Sequence, residues 1–400
     1  MAHVIDAARG AESVVSVIGT EHHRVLLSGR TILGVEYVDD RFRWQPSLAA
    51  MALLQVVAFL VPAPQRSLCL GLGAGTVPHF LRASGIHTDV VEISQPVIDM
   101  AGRHFEFGRD RRVSPGDARV VHADAVQYMA ATPKHDKYDV ILSDLWSGAN
   151  AGSTLQLPFL SRLRREWLRP NGTLAINLVA FADGPHASLA IRVVRTLRAA
   201  FDHVRCFAEY DTHTDDADAD AHRPANLLLI GSDSPIRFDY DSFVRRGHHH
   251  YPGVAELMAE LASGEGGDAV TPDPRTAFHL HASFQTWQPP RLLEAAAGRE
   301  GTPLEAPSDW EELASERAAV ARGMEAEQRA LLSPEAWQLV EDLVTAERGL
   351  WQLVEDLESD SEYRHTEGPP PQRKSQTFSR SRSRRRQRQH GGHWSAHDEL

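Results

Sequence analysis

The sequence predicts an α/β fold: a doubly wound, mainly parallel sheet with a terminal antiparallel hairpin, a small N-terminal β appendage and C-terminal helices. Three observations predict it. Short apolar runs alternate with amphipathic stretches from residue 66 to 232, a pattern typical of a parallel sheet with helices on both faces. A glycine-rich loop at 71–75 directly follows the first run. Two late apolar runs flank a loop too short for a helical crossover. Together they indicate a Rossmann-like sheet.

The pattern places each element in turn. Strands are predicted at 67–72, 88–93, 119–122, 138–143 and 173–179, and the closing hairpin at 203–209 and 225–230. Helices are predicted between them at 77–83, 95–107, 125–131, 155–168 and 187–201. These spacings supply the crossovers that parallel strands need.

The flanking segments differ from this central unit. Strands at 13–19, 25–27 and 31–37 predict the N-terminal appendage, and Pro46-Ser47 suits the start of a helix at 48–60. Helices are predicted at 239–247, 254–263, 310–332 and 334–358. We therefore expect a β appendage at 1–47, a ligand-binding Rossmann-like domain at 48–235, a helical region at 236–358 and a disordered Arg/Ser-rich tail at 359–400.

The last predicted helix carries an apolar seam with two interpretations. The heptapeptide 337–343 recurs at 351–357, two heptads further on. The seam suits either a helix packed on the body of the protein or a helix that pairs with a partner, including a second copy in a homodimer.

Composition excludes several classes of protein. Hydrophobic residues make up 42% of the 400, so the chain can build a core. The longest apolar run, at 49–63, is shorter than the ~20 residues of a membrane span. We therefore expect no membrane partner. Cys69 and Cys206 lie in apolar runs and predict buried thiols in a reducing compartment. No metal site is expected, since the histidines at 248–250 and the acidic loop at 211–222 suit solvated segments.

Charge and termini bear on location and partners. The net charge of −12 is uneven: residues 361–400 carry +5 and the rest −17. The basic tail suits a solvated segment, a weak, salt-sensitive RNA contact or a nuclear address. The first 20 residues show no signal-peptide pattern, so we expect a cytoplasmic protein. The terminal His-Asp-Glu-Leu matches an ER-retention address that would then have nothing to act on.

The residues that indicate chemistry follow successive predicted strands. Gly71, Gly73 and Gly75 allow a tight turn and a close approach of backbone to a ligand, and the helix after them offers free N–H groups. Glu92 ends the second strand, where an acid can accept hydrogen bonds from both hydroxyls of a ribose.

Two further acids follow the third and fourth strands. Asp124, followed by Ala125, can accept a hydrogen bond from an adenine amino group, although a lone acid here is more often a cap or turn residue. Asp144 lies at the mouth of the same crevice. In combination, the loop and the three acids favour an adenosine-bearing ligand.

Residues 41–181 resemble the spermidine synthase-like branch of the class I S-adenosylmethionine-dependent methyltransferase superfamily. The loop at 71–75 and the segments 90–93, 122–125 and 138–144 carry the resemblance. It implies that Gly71, Gly73 and Gly75 cradle the methionine-derived end of S-adenosylmethionine or its decarboxylated form. It also implies that Glu92 holds the ribose, that Asp124 with Ala125 holds the adenine, and that Asp144 is the catalytic acid that binds and deprotonates an amine. Gln45, after Trp44, resembles the aromatic-Gln pair of these enzymes.

Two departures separate the chain from the aminopropyltransferases of this branch. Ala74 stands where they carry a loop Asp, and Ser147 where they carry a second acid after the fourth strand. Loss of the loop acid removes an interaction of about 1.5–3 kcal/mol, tenfold to a hundredfold in affinity, that favours the decarboxylated cofactor. The sequence therefore predicts a methyltransferase whose acceptor, a small molecule or a protein, is left open. The alternatives are an aminopropyltransferase (polyamine synthase) and a catalytically idle module that binds partners.

Overall fold

Two β-sheets, one of four strands and one of nine, organise the chain. A computed structural model describes residues 1–11, 13–40, 46–61, 63–109, 118–131, 137–145, 152–211, 223–237, 244, 267–269, 282–286 and 302–347. All of them belong to one compact unit, Met1–Gly349. The domain boundaries given above stay predictions.

The smaller sheet is the predicted N-terminal appendage. Its strands pair in antiparallel order β1 (His3–Arg9), β2 (Val14–Gly19), β3 (His23–Ser28) and β4 (Thr31–Tyr37). Three of the four strands were predicted. β1 was missed because it is a largely exposed edge strand of mixed polarity, without an apolar run.

The larger sheet confirms the predicted doubly wound architecture. Its strands are β5 (Arg66–Leu70), β6 (His87–Glu92), β7 (Ala118–His122), β8 (Tyr138–Ser143), β9 (Leu168–Phe181), β10 (His203–Asp211), β11 (Pro224–Ser232), β12 (Gly267–Ala269) and β13 (Ala282–Thr286). They lie in the order β12-β13-β10-β11-β9-β8-β5-β6-β7. Strands β5 to β9 are parallel, and β11 inserts antiparallel between β9 and β10. The chain reverses direction across the sheet between β5 and β8, which is where such sheets bind ligands.

The helices match the prediction with three differences. They are α1 (Ala49–Val57, extended by a 3₁₀ turn, Ala58–Leu60), α2 (Thr76–Ala83), α3 (Gln95–His104), α4 (Glu106–Arg109), α5 (Ala125–Ala131), α6 (Leu157–Arg162, extended by a π turn, Leu163–Trp167), α7 (Ser188–Ala200), α8 (Pro307–Glu311), α9 (Ala314–Leu331) and α10 (334–347). The predicted helices 95–107 and 310–332 are each divided in two. Ser47 does not cap α1 but donates a 2.6 Å hydrogen bond to the Val35 carbonyl.

The region 236–358, predicted to be helical with a Gly/Pro-rich break at 264–274, also contains two strands that were not predicted. Strands β12 and β13 extend the main sheet antiparallel beyond β10. Each is short, and β12 has no β-branched or aromatic residue, so no strand signal stood out. The predicted helix 254–263, nearly all of 239–247, the three histidines, the acidic loop at 212–222 and the tail lie outside the described residues.

Apolar clusters cover both faces of each sheet. One face of the main sheet packs on α1, α2 and the inner side of the small sheet, and the other on α5, α6 and α7. The outer side of the small sheet packs on α10 through Trp337, Val340 and Val344. Arg30 adds a two-pronged ion pair with Glu341, at 2.8 and 2.6 Å. The described part of the heptad seam is therefore packed on the body of the protein.

Both thiols are buried, as predicted. Burial raises the pKa of Cys69, and it raises that of Cys206 to about 12. Among the described helices, none has the length and apolarity needed to cross a membrane.

Candidate cofactor and active site

The glycine loop has the backbone geometry that its sequence predicts. Gly71, Gly73 and Gly75 have φ angles of +95°, +54° and +82°, in the left-handed range that favours glycine. The Gly71 N–H donates to the Val91 carbonyl at 2.9 Å, and Gly75 forms the N-cap of α2. The loop therefore joins β5 to the N-terminus of α2 beside β6.

Three neighbours approach this loop so closely that a side chain at any of the glycines would collide. A Cβ at position 71 would strike the Asp144 carbonyl, and one at position 75 would strike Phe107. A Cβ at position 73 would strike the Leu33 carbonyl of β4. The N-terminal sheet thus forms one wall of the loop, which the sequence did not predict.

Glu92 ends β6 directly beside the loop. Its carboxylate accepts hydrogen bonds from the Leu72 N–H at 3.0 Å and the Ser94 N–H at 2.8 Å. Burial raises the pKa of Glu92, and these backbone donors oppose the rise. Each carboxylate oxygen has two lone pairs, so both oxygens can still accept a hydrogen bond from a ligand hydroxyl.

Asp124 follows β7, and its side chain caps α5. Its Oδ1 accepts a 2.9 Å hydrogen bond from the Gln127 N–H, and the buried Ala125 is the first residue of that helix. The capping role that the sequence left open is therefore present. Directly after the neighbouring strand β6, Ile93 leaves 54% of its surface exposed, and its carbonyl lies 2.9 Å from Nε2 of His122, two residues before Asp124. An acid beside an exposed apolar side chain suits a flat base that carries an amino group.

Asp144 follows β8 and lies across the crevice from Glu92's strand. Its N–H donates to the Leu70 carbonyl at 2.9 Å, and its Oδ1 accepts a 3.0 Å hydrogen bond from the Asn177 amide of β9. Burial raises the pKa of Asp144, and the Asn177 hydrogen bond opposes the rise. Sequence reasoning missed Asn177. Its signal was one polar amide inside the otherwise apolar run 174–181.

Two cavities lie near these residues. A partly open one of about 30 Å³ lies against the loop and is also lined by Met51, Cys69 and Asp144. An open cleft of about 530 Å³ lies between the end of β9 and α9, with Phe181 and Arg322 in its lining. The cleft has the volume of small-molecule sites. Phe181 and Asn177 lie on the same face of β9, because alternate residues of a strand share a face. The cleft therefore borders the face of β9 that carries Asn177.

Gln45, Trp44 and Ser147 lie outside the described residues. The other predicted site residues lie at, or just after, the carboxyl ends of β5, β6, β7 and β8, along one edge of the sheet. A glycine turn, a buried acid and an acid beside an apolar surface fit the backbone end, ribose and base of an adenosine-bearing cofactor.

Comparisons with known proteins find relatives of this chain, although no family model matches it. A probable polyamine aminopropyl transferase of Bifidobacterium longum is 28% identical over 163 residues, 40% of this chain and 34% of that protein. An N-terminal histidine N-methyltransferase of Emericella nidulans is 27% identical over 219 residues, 51% of this chain and 38% of that protein. The chain thus spans little more than a third of these relatives' lengths.

A solved structure shows the fold. The crystal structure of a probable spermidine synthase from Corynebacterium glutamicum matches 75% of this chain and 96% of its own, with a TM-score of 0.51 and 16% identity. The structural match confirms the predicted fold, and the two sequence relatives support the resemblance to the spermidine synthase-like branch of the methyltransferase superfamily. These two relatives of the chain are named as transferases of different groups, one of methyl and one of aminopropyl.

Proposed function

We propose that this chain is an S-adenosylmethionine-dependent methyltransferase that acts on a nitrogen acceptor. The fold and the order of the site residues support an adenosine-bearing cofactor. Nitrogen is favoured because one relative is named an N-methyltransferase and the other an aminopropyl transferase for polyamines.

Each residue at the sheet edge would bind a different part of the cofactor. The loop glycines let the backbone approach it, and the N-terminus of α2 offers N–H groups to its carboxylate. Glu92 accepts hydrogen bonds from the ribose, and Asp124 from the amino group of the base. When bound, the cofactor supplies a methyl group activated by a sulfonium.

Ala74 is the observation that favours methyl transfer over aminopropyl transfer. It is the fourth residue of the loop, is 4% exposed and packs against Gly34. A neutral residue here neither attracts the cationic end of the decarboxylated cofactor nor repels the carboxylate of the intact one. The loop therefore suits the intact form.

Asp144, positioned by Asn177, would orient the acceptor and accept its proton. A carboxylate at this position can orient a nitrogen and accept its proton as the methyl group is transferred. Asn177 fixes one carboxylate oxygen at 3.0 Å, which leaves the other free to face the acceptor. The remainder of the acceptor would lie in the cleft beside Phe181 and α9, along the same face of β9.

Aminopropyl transfer is the second candidate. The B. longum relative is named for it, and Asp144 occupies the position that this resemblance assigns to the amine-binding acid. It requires the decarboxylated cofactor, so relative affinity for the two cofactor forms separates the candidates.

Calorimetric titration of the full chain tests cofactor binding. We expect S-adenosylmethionine to bind more tightly than its decarboxylated form. Glu92→Gln should weaken binding about tenfold to a hundredfold, because a neutral amide loses charge-assisted hydrogen bonds of about 1.5–3 kcal/mol.

Glu335→Gln is the matched control, since Glu335 is exposed on α10 and its carboxylate accepts a 3.0 Å hydrogen bond from the Ser333 hydroxyl. It should bind as the unmodified chain does. Equal binding by Glu92→Gln would contradict the role given to Glu92. Tighter binding of the decarboxylated form would favour aminopropyl transfer.

A further inference from the structure

The N-terminal sheet meets the glycine loop at a β-bulge. Leu26 pairs with Gly34 and Leu27 with Ile32, so Leu33 is an extra residue in β4. Bulges re-aim the backbone and are common next to active sites. Here the bulge brings the Leu33 carbonyl against Gly73.

The next residue, Gly34, contacts the fourth position of the loop. A Cβ at position 34 would lie 2.5 Å from the Ala74 Cβ and 2.8 Å from the Ala74 nitrogen. Gly34 is absent from the residues with positive φ, so its backbone conformation would accept a side chain. Contact with Ala74, and not backbone strain, therefore requires glycine at position 34.

Hydrogen bonds hold strand β4 on both sequence flanks of Gly34. The Ile32 N–H donates a 3.1 Å hydrogen bond to the buried Gln328 of α9, and the Val35 carbonyl accepts the 2.6 Å bond from Ser47. A larger side chain at position 34 or 74 could be accommodated only by moving a strand that is fixed on both flanks of the contact.

We propose that the Leu33–Gly34 bulge is part of the cofactor site, and that Gly34 determines which cofactor the loop accepts. Gly34 is a positioning residue: it holds the loop in shape and limits position 74 to a methyl group. An acid at position 74 would be buried without room beside Gly34. The inference rests on the proposed function, because it assigns the preference for intact S-adenosylmethionine to this contact.

A mutant cycle on the full chain tests the contact by calorimetry with S-adenosylmethionine. Gly34→Ala should weaken binding about tenfold or more, since overpacking typically costs enough for that factor. Ala74→Gly should stay within about threefold. The double variant Gly34→Ala/Ala74→Gly should bind at least about threefold more tightly than Gly34→Ala, but less tightly than the unmodified chain, because the contact with the Ala74 methyl group is gone while the contact with the backbone nitrogen at position 74 remains.

Gly102→Ala is the matched control, because a Cβ there meets no atom within 4 Å. It should bind as the unmodified chain does. Melting temperatures of all variants report folding. If Gly34→Ala does not fold, the double variant decides, and its failure to fold or to bind would overturn the proposal.

Ala74→Asp separates steric exclusion from charge. If Gly34 leaves no room, both cofactor forms should bind this variant more weakly than the unmodified chain. Tighter binding of the decarboxylated form by Ala74→Asp, or undiminished binding by Gly34→Ala, would overturn the inference. Absence of S-adenosylmethionine binding by the unmodified chain would instead contradict the proposed function.

Discussion

Asp144→Asn should lower methyl transfer about 10²- to 10⁴-fold, the range contributed by a positioned general base. The amide cannot accept a proton from the acceptor nitrogen. Its oxygen can still accept the Asn177 hydrogen bond, so the site geometry should persist. The measurement is formation of S-adenosylhomocysteine in the presence of histidine, a short peptide with an N-terminal histidine, or putrescine.

Cofactor binding and stability distinguish this role from a structural one. Asp144→Asn should bind S-adenosylmethionine within about threefold of the unmodified chain, less than the tenfold that 1.4 kcal/mol would give. Because burial raises the pKa of Asp144, its ionised form costs stability in the folded protein at neutral pH. The neutral variant should therefore melt at a higher temperature. Full transfer activity in this variant would show that Asp144 is not the base.

Arg192→Ala should destabilise the fold by about 3–5 kcal/mol. The Arg192 side chain is 2% exposed and joins α7 to the segment around α8. It donates to the Thr302 carbonyl and to the Glu312 carboxylate, each at 3.3 Å, and its Nη2 lies 3.1 Å from Asp309 Oδ1. Truncation to alanine removes a large buried side chain, and the Thr302 carbonyl and the two carboxylates lose their interactions with the Arg192 guanidinium. Chemical denaturation measures the change.

Arg198→Ala is the control for this prediction, since Arg198 is exposed on the same helix. It should change stability by no more than about 0.5 kcal/mol. Arg192→Lys keeps the charge but not the planar guanidinium group. Its loss of stability should therefore lie between those of Arg192→Ala and Arg198→Ala. Equal stability of Arg192→Ala and Arg198→Ala would mean that this buried ion pair does not hold the C-terminal helices on the sheet.

The pH dependence of stability gives a second readout of the same ion pair. Partial burial raises the pKa of Asp309, but hydrogen bonds from the Ala306 and Glu305 N–H groups and from Arg192 outweigh it and lower the pKa below 3.8. Because the pKa of Asp309 is lower in the folded protein than in the unfolded chain, its carboxylate stabilises the fold above pH 3.8. This stabilisation is lost as the pH falls through the pKa that Asp309 has in the folded protein. Arg192→Ala removes one of the interactions that lower this pKa, so the stability of the variant should fall less than that of the unmodified chain as the pH is lowered.

Local sequence patterns were sufficient for the elements that build the sheet edge. Apolar runs located β5 to β11, since strands that are covered on both faces are nearly continuous in apolar residues. The glycines at 71, 73 and 75 predicted a loop that needs left-handed backbone, and all three have positive φ. Glu92 and Asp144 were found because both directly follow such runs.

Contacts between distant segments were not predictable in this way. Gly34 and Ala74 are 40 positions apart, and an isolated glycine in a short strand does not reveal which backbone will approach it. Asn177 meets Asp144 only through the register of β8 with β9. Arg192 lies on an amphipathic helix where a charged residue predicts a solvated face, yet α8 covers it. Each depends on tertiary packing.

The most direct test is the nucleoside product formed by the full chain from an equimolar mixture of S-adenosylmethionine and its decarboxylated form. Histidine, the peptide with an N-terminal histidine and putrescine would be supplied as acceptors. Methyl transfer leaves S-adenosylhomocysteine, and aminopropyl transfer leaves methylthioadenosine. Mass spectrometry should detect S-adenosylhomocysteine, lost in Asp144→Asn. Accumulation of methylthioadenosine instead would contradict the assignment of a methyltransferase.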